Sequence, residues 1–307
     1  MTVAIIVLNH DGTEDTLECL RSLRAVTFPG SRIYLVDNGS RPPIAPSLPR
    51  QGQDIRLLES PENLGFTGGS NWAAREALAE GARYLLFLNN DATVAPGFLE
   101  PLVGALDADP RIGIATPKIY FHGQDRVIWA CGARLNSWIG RSVHVGVYRP
   151  DRGQYDRLRR VDRVTGCAML VRRDFVDRVG LLDDRFFAYG EDVDWCLRGR
   201  RHGYRMAFVP DSIVWHRGHR TAGRLGRPFI RYLKYRNPFL LLRKNAECFV
   251  AGGSLALSYL VLGLSFGTAA SALRGETDSA RAAWRGFRDG LRGRFGPPPR
   301  DLGGRRP

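Results

Sequence analysis

Apolar and polar positions alternate with two different periods along the first third of this 307-residue chain. Short runs of aliphatic and β-branched residues predict strands buried on both faces, and the segment after the first run has leucines three residues apart, as in an amphipathic helix. The predicted strands cover 3–9, 33–38, 55–60 and 84–91, and the predicted helices cover 13–25 and 71–80. This alternation is typical of the α/β class, in which a mostly parallel sheet carries helices on both faces.

The pattern becomes irregular in the middle of the chain. Residues 111–165 predict only short strands and polar turns, whereas 164–180 predict a strand followed by a helix. A further helix is expected to begin near Gly190, because a glycine and two acids precede a segment of mixed apolar and basic residues. Residues 204–219 predict one or two strands that close the folded part.

The positive charge of the chain is concentrated in its last third. Residues 217–307 hold 18 of the 45 Lys and Arg residues but only five of the 31 Asp and Glu residues. Within this region, residues 248–273 carry no charge, and a helix of that length could span a bilayer or lie on its surface. Basic residues beside an apolar helix favour an anionic membrane surface, while the folded part lacks the basic, aromatic-lined face of a nucleic-acid binder. We therefore expect a membrane-associating helical extension, a loose stretch over 274–307, and no nucleic-acid partner.

The cysteines and the start of the chain indicate the compartment. The five cysteines are widely spaced without a CxxC pair, which argues against a disulfide framework or a zinc site. The opening residues TVAIIVLNH lack the basic stretch and cleavage site of a signal peptide and resemble a strand. These features favour the cytoplasm.

Polar residues follow the predicted strands at the points where a doubly wound sheet binds its ligands. Asp37 ends the second strand, Asn89, Asn90 and Asp91 follow the fourth, and His216 lies near the end of the last. Each has an ordinary alternative, an Asx turn for the first four and an exposed histidine for the last. Carboxylate, amide and imidazole groups together would suit Mn²⁺ or Mg²⁺.

The segment ENLGFTGGSNWA (62–73) brings glycines to the start of a predicted helix. Glycines there allow close approach of a ligand, and a helix N-terminus favours an anion such as a diphosphate. The spacing is not GxGxxG, so the segment does not predict a dinucleotide site, and a simple turn is the alternative.

Three acids lie in the segment GEDVDW, at the predicted helix start. Acidic residues there complement the helix dipole, so a capping role is the ordinary interpretation. An acid held beside the neighbouring aromatic residues would instead have a raised pKa, which suits a general base. Helical spacing places Asp192, Trp195 and Cys196 on one face and Asp194 on another.

Taken in order, these segments resemble the inverting family 2 glycosyltransferases with a GT-A fold, in particular their rhamnosyltransferase-like branch. The resemblance covers about residues 2–220. It rests on VAIIVLNHDG, IYLVDNGS, NLGFTGGSNWA, YLLFLNNDATV, VTGCAMLVRR, VGLLDDRFFAYGEDVDWCLRGRRHGYR and VWHRGH.

The resemblance implies a role for each matching residue. The residues implied to bind a nucleotide sugar are Leu8, Asn9, Asp37, Asn63, Gly65, Asn71 and Asn90. Asp91 and His216 are implied as ligands of Mn²⁺ or Mg²⁺, and Asp192 is implied as the catalytic base with Glu191 beside it. Two residues depart from the family pattern: Asn89 replaces the first carboxylate of the metal motif, and Leu182 stands where phenylalanine is usual.

The same resemblance implies an inverting sugar transfer from a nucleoside-diphosphate donor, dTDP-L-rhamnose, to a hydroxyl of a cell-envelope glycan or lipid-linked acceptor. A UDP-sugar donor (galactofuranose or a hexose) and a non-catalytic binding relative are the alternatives. The expected organisation is a nucleotide-sugar-binding half (1–110), an acceptor-binding and catalytic half (111–220), and a helical tail (221–307) at the cytoplasmic face of the plasma membrane.

Overall fold

The computed structural model describes residues 2–48, 54–124, 126–218 and 226–302. The expected boundary at residue 220 lies outside these residues. The first part contains β1 (Val3–Asn9), α1 (Thr13–Leu23), β2 (Ser31–Asn38), β3 (Ile55–Ser60), α2 (Gly65–Ala79), β4 (Tyr84–Asn89), β5 (Ala92–Val94) and α3 (Leu99–Ala108). The strands in this part follow the apolar runs of the sequence closely.

The second part supplies further strands and two helices. Its elements are β6 (Ile112–Phe121), β7 (Ile128–Ala130), β8 (Ala133–Asn136), β9 (Arg141–His144), β10 (Arg159–Val161), β11 (Ala168–Arg172), α4 (Arg173–Val179), α5 (Glu191–Arg201) and β12 (Arg205–His216). The last part contains α6 (Arg227–Asn245), α7 (Ser254–Leu273) and α8 (Thr277–Leu291).

The central sheet is mixed. Its order is β10–β12–β6–β11–β4–β1–β2–β3, with β5 added beside β12 and β7 beside β6, and β8 and β9 form a separate hairpin. Strands β3, β2, β1 and β4 are parallel to one another, as predicted. Strand β11 then runs antiparallel to both β4 and β6. The prediction of a mostly parallel sheet is therefore wrong for the second half, because a buried apolar strand has the same pattern in either direction.

Helices cover both faces of the sheet, as the sequence predicted. Alternate residues of β1 point to opposite sides: Val3 and Ile5 pack in the core with α1 and α3, whereas Ala4 and Ile6 pack in the core with α2, α4 and α5. Since consecutive side chains of a strand face opposite ways, only an uninterrupted apolar run can fill both cores.

Two elements differ from the sequence-based expectation. The region expected to be irregular begins with the ten-residue strand β6, which is buried throughout. Gly113, Pro117 and Lys118 weaken its strand pattern, but the Lys118 ammonium is paired with the Asp151 carboxylate at 2.9 Å. Helix α2 begins at Gly65 instead of residue 71, so the glycine-rich segment forms its first turns.

The C-terminal helices pack against the rest of the chain instead of trailing from it. Helix α8 lies against α6 so closely that a Cβ on Gly286 would collide with the Tyr232 carbonyl. The expectation of a loose stretch over 274–307 is therefore wrong for α8. Within the part of the chain that the structure describes, no helix is both long and apolar enough to cross a membrane.

Candidate active site

The polar strand ends predicted from the sequence meet at one edge of the sheet. In the register of β1, Asn9 is opposite Asp37 on β2, and Leu8 is opposite Asn89 on β4. Strand β12 reaches the same edge, where His216 is paired with Ala92. The sheet thus brings together residues that are separated by up to 208 positions in the sequence.

Asn9 and Asp37 form a buried polar pair beneath the loops that follow β1 and β2. The Asn9 amide donates to Asp37 Oδ1 at 3.3 Å and to Ser40 Oγ at 2.9 Å. The backbone N–H of Ile44 donates to Asp37 Oδ2 at 2.8 Å. Leu8 lies beside this pair and in direct contact with Gly69 of α2, where a Cβ would collide with its side chain. These contacts fix the Asn9 and Asp37 side chains at the ends of β1 and β2.

Asn63 and Gly65 lie at the start of α2 and are fixed by Asn38. The Asn38 amide donates to Asn63 Oδ1 at 3.0 Å, and Asn38 Oδ1 accepts from the Leu64 backbone at 2.8 Å. Gly65 adopts φ +76°, and a Cβ there would lie 2.5 Å from the Phe187 carbonyl oxygen. A glycine is required because the loop before α5 passes this close to the loop before α2.

Asn71 and Asn90 have protein partners that hold the fold. Asn71 Nδ2 donates to the Leu182 carbonyl at 2.8 Å and to Asp184 Oδ1 at 2.6 Å. Asn90 Nδ2 donates to Thr16 Oγ1 on α1 at 2.9 Å. Both amides join elements that surround the site, and their contact with a nucleotide stays a prediction.

Asp91 and His216 face each other at the strand edge. Asp91 Oδ1 lies 3.0 Å from His216 Nε2, and Asn89 Nδ2 lies 3.4 Å from the same nitrogen. Burial alone would lower the pKa of His216, but the Cys167 sulfur and the Asp91 carboxylate raise it to about 10. The His216 ring is therefore protonated at neutral pH when no cation is bound.

This pair fits a divalent cation with few protein ligands. In the described ranges, no three His, Cys, Asp or Glu side chains surround a possible metal position. A buried carboxylate and an imidazole are nevertheless donors that Mn²⁺ accepts, and Mg²⁺ or Mn²⁺ commonly takes its remaining ligands from substrate phosphates and water. A bound cation would displace the proton of His216, since metals bind neutral imidazole.

Glu191 and Asp192 of the GEDVDW segment are the first two residues of helix α5. Gly190 precedes them at φ +100°, a conformation that glycine adopts without strain. Asp192 Oδ2 is paired with the Arg163 guanidinium and accepts from the Gly166 backbone at 3.3 Å. Glu191 is buried, and its Oε2 has no hydrogen-bond partner in the described residues. Burial, reinforced by the charge of Asp192, raises the pKa of Glu191 to about 8. Glu191 is therefore protonated at neutral pH.

Asp194 points away from these two acids. Its carboxylate accepts from Arg198 Nε at 2.8 Å, from Lys244 Nζ at 2.9 Å and from Asn245 Nδ2 at 3.0 Å. These partners join α5 to its own next turn and to α6, which supports a structural role for Asp194.

Three site residues were not identified from the sequence. Arg163 is held by Ser142 Oγ at 2.8 Å and orients Asp192. The Trp129 ring lies 4.5 Å from both the His144 and His216 rings, measured between centroids. Burial and the nearby Arg163 charge lower the pKa of His144 to about 4, so its ring is neutral at physiological pH. These residues come from the segment 128–163, where no motif in the sequence marks them.

The Asp91–His216 pair and the Glu191–Asp192 pair lie near each other, because the same two side chains interact with both. Burial raises the pKa of Tyr189 to about 12, and the charges of Glu191 and Asp91 add to the effect. The Asp192 charge raises the pKa of His144 and the His216 charge lowers it. Because such interactions fall off with distance, Tyr189 and His144 each lie near both pairs.

The sequence model of the family described as Glycosyl transferase family 2 matches residues 2–180. An uncharacterised protein of Mycobacterium tuberculosis is 32% identical over 200 residues, which cover 63% of this chain and 66% of that protein. The chain thus spans slightly less than two thirds of this relative's length. The N-acetylglucosaminyl-diphospho-decaprenol L-rhamnosyltransferase of the same organism is 27% identical over 226 residues, 67% of this chain and 72% of that protein. The dTDP-rhamnosyl transferase RfbF of Shigella flexneri is 26% identical over 200 residues, covering 63% and 64%.

Solved structures with similar folds include S. aureus TarS 1-349 in complex with UDP-GlcNAc, with a TM-score of 0.59, 15% identity, and coverage of 95% of this chain and 81% of that one. The mannosyltransferase PcManGT of Pyrobaculum calidifontis, in complex with GDP-Man and Mn²⁺, has a TM-score of 0.55 at 15% identity and covers 94% and 86%. At these identities the likeness establishes a GT-A-like mixed α/β fold. With more than half of its length matched by the family model, the chain belongs to glycosyl transferase family 2.

Proposed function

We propose that this protein is an inverting glycosyltransferase that moves a sugar from a nucleoside diphosphate to an acceptor hydroxyl. The observation that carries the proposal is the buried pair of adjacent acids Glu191 and Asp192, with Asp192 held by Arg163, together with the buried Asp91–His216 pair. Family membership supports the same reaction class. A non-catalytic relative would have no need to bury an acid whose Oε2 has no hydrogen-bond partner among the described residues.

The donor would lie across the carboxyl ends of β1, β2 and β4. Asp37 and the backbone near Leu8 and Asn9 would hold the base, while Asn63 and Gly65 would line the nucleotide together with Asn71 and Asn90. The diphosphate would then extend toward Asp91 and His216. A divalent cation held by these two residues would neutralise the charge that develops on the leaving diphosphate.

Asp192 would act as the base. Its carboxylate would take the proton of the acceptor hydroxyl as that oxygen bonds to the anomeric carbon, and the bond to the diphosphate oxygen would break with its electron pair. Arg163 orients the carboxylate through its guanidinium. Glu191, protonated at neutral pH, would donate a hydrogen bond to a substrate hydroxyl.

We propose dTDP-L-rhamnose as the donor and a lipid-linked or cell-envelope glycan as the acceptor. The names of two relatives support this choice, since one is a dTDP-rhamnosyl transferase and the other acts on a decaprenol-linked sugar. A UDP-sugar, galactofuranose or a hexose, is the second candidate, because the similarly folded TarS binds UDP-GlcNAc.

Turnover of a donor panel tests this function. We expect purified protein with Mn²⁺ to release nucleoside diphosphate fastest from dTDP-L-rhamnose, because two relatives are named rhamnosyltransferases and one of them a dTDP-rhamnosyl transferase. Release is measured by a coupled phosphate assay, with Asp192→Asn as the inactive control. Faster release from a UDP-sugar would show that this UDP-sugar, and not dTDP-L-rhamnose, is the donor. If no donor in the panel is either turned over or bound in calorimetry, the proposed function is refuted.

We further propose that the C-terminal helices bind an anionic membrane at the cytoplasmic face. Among the described side chains of α7, five large apolar ones are exposed, including Val261. The other four recur at intervals of four, three and four residues, which places them on one helix face; they are Leu255, Tyr259, Leu262 and Phe266. The surrounding region, 217–307, carries most of the net positive charge. An apolar face beside basic residues suits the boundary between acyl chains and anionic headgroups.

Charge on this face should weaken membrane binding. We expect Leu262→Glu combined with Phe266→Glu to lower the fraction that sediments with vesicles containing anionic lipid by about tenfold, since each change removes apolar burial of roughly 1.5 kcal/mol or more. Leu158→Glu is the matched control, because Leu158 is comparably exposed but lies outside the tail. Equal sedimentation of the double variant and the control would contradict the proposal.

A further inference from the structure

Helix α6 of the tail reaches the loop that leads into the two acids. Asn237 is 2% exposed, and its Nδ2 lies 3.0 Å from the Phe186 carbonyl, 2.7 Å from that of Ala188 and 2.6 Å from that of Tyr189. One side-chain amino group therefore lies within hydrogen-bond distance of carbonyls from three of the four residues 186–189, and its two N–H donors are shared among them.

A neighbouring arginine fixes the orientation of this amide. Arg236 Nε donates to Asn237 Oδ1 at 2.9 Å, which turns the Asn237 amino group toward the loop. Arg236 Nη2 also donates to the Phe186 carbonyl at 2.9 Å. Its Nη1 donates to the Gly296 carbonyl at 2.6 Å, and the Gly296 N–H donates to the Arg185 carbonyl at 2.8 Å. The tail thus contacts the loop from both α6 and the segment after α8.

The loop has a backbone that needs such support. Phe187 and Tyr189 have φ angles of +66° and +67°, which side-chain-bearing residues rarely adopt. Backbone of this kind persists where the surroundings hold it in place. On the opposite side, the Thr67 N–H of α2 donates to the Phe187 carbonyl at 3.1 Å. The loop is therefore held between the start of α2 and helix α6, and it passes through Gly190 directly into Glu191.

We propose that Asn237 is a positioning residue for sugar transfer. By holding loop 186–190, it fixes the first turn of α5 and so the direction in which the Glu191 and Asp192 carboxyl groups face the donor. This inference rests on the proposed function. If Asn237 has this role, helix α6 contributes to the geometry of the catalytic centre as well as to the proposed membrane binding of the C-terminal helices.

Two substitutions test the role of the Asn237 amide. Asn237→Ala removes the donor, and Asn237→Asp keeps the shape but places a carboxylate against three carbonyls. We expect each to lower kcat by about 10- to 100-fold with a much smaller change in donor KM, because small misplacement of catalytic groups is costly. Asn9 and Asp37, which would hold the base, keep their own contacts with Ser40 and Ile44. Hydrogen exchange should also accelerate at the backbone amides of 187–191, a readout that does not depend on turnover.

Asn245→Ala is the matched control. Asn245 is likewise a buried asparagine of α6, but its amide donates to Asp194 and to the Leu241 carbonyl, not to the loop. Thermal unfolding shows whether the variants are comparably destabilised. If Asn237 and Asn245 variants have the same kcat, or if loop exchange is unchanged, Asn237 has no positioning role. If the wild-type protein itself turns over no donor, the proposed function fails instead, and loop exchange still tests the structural contact.

Discussion

Replacing Asp192 with asparagine should lower kcat for sugar transfer by about 10²- to 10⁴-fold, the usual contribution of a general base. Asparagine keeps the size of the side chain and can still accept from the Gly166 N–H, but it cannot take the acceptor proton. Binding of the nucleotide should be retained because the proposed donor site lies at the ends of β1, β2 and β4. Initial rates and calorimetric donor binding measure the two effects separately.

The neighbouring acids provide the controls for this prediction. Glu191→Gln should cost only a few-fold, because Glu191 is protonated at neutral pH and glutamine preserves a hydrogen-bond donor. Asp194→Asn should alter the melting temperature more than kcat, since its carboxylate contacts Arg198 and Lys244. If Glu191→Gln abolishes transfer while Asp192→Asn retains it, the base is Glu191 and the assignment must be reversed.

Chelation of divalent cations should abolish transfer, and Asp91→Ala should do the same without rescue by added metal. Asp91 and His216 form a buried carboxylate–imidazole pair at this sheet edge, so their loss would leave the diphosphate charge uncompensated. In the wild-type protein, Mn²⁺ added after EDTA removal should restore the rate.

Binding of Mn²⁺ in the presence of a nucleoside diphosphate gives a readout that is independent of turnover. Paramagnetic resonance of bound Mn²⁺ should be lost in Asp91→Ala and retained in Glu59→Ala, a matched control because Glu59 is an exposed acid opposite Asp37 at the same edge. Undiminished turnover in EDTA would show that the reaction needs no metal and that Asp91 has another role.

Strands and helices whose limits follow from the local pattern of apolar and polar residues could be predicted from the sequence. Strand β1 coincides with the apolar run 3–9, and α5 begins after Gly190 where the helix signal was found. The direction of the strands could not be predicted from the sequence, because β11 has the same apolar pattern whether it runs parallel or antiparallel to β4. Strand β6 was missed because a proline and a buried lysine interrupt its pattern, and only the distant Asp151 explains that lysine.

The candidate site likewise contains residues that could be predicted from the sequence and residues that could not. Residues at strand ends and at the start of α5 were identified because their position in a motif carries information. Arg163, Trp129 and Asn237 were not, because each acts through a partner far away in the sequence, such as Asp192 or the carbonyls of 186–189. Such long-range pairings leave no periodic trace in a single sequence.

The close contact between Gly65 and the Phe187 carbonyl has a consequence for engineering donor preference. The backbone that begins α2 and the loop before α5 meet without room for a methyl group between them. Exchanging segment 62–73 for that of a relative would therefore shift the loop that carries the acids unless 186–190 is exchanged with it. Libraries that recombine these two segments as one unit should yield more active variants than libraries that recombine them separately.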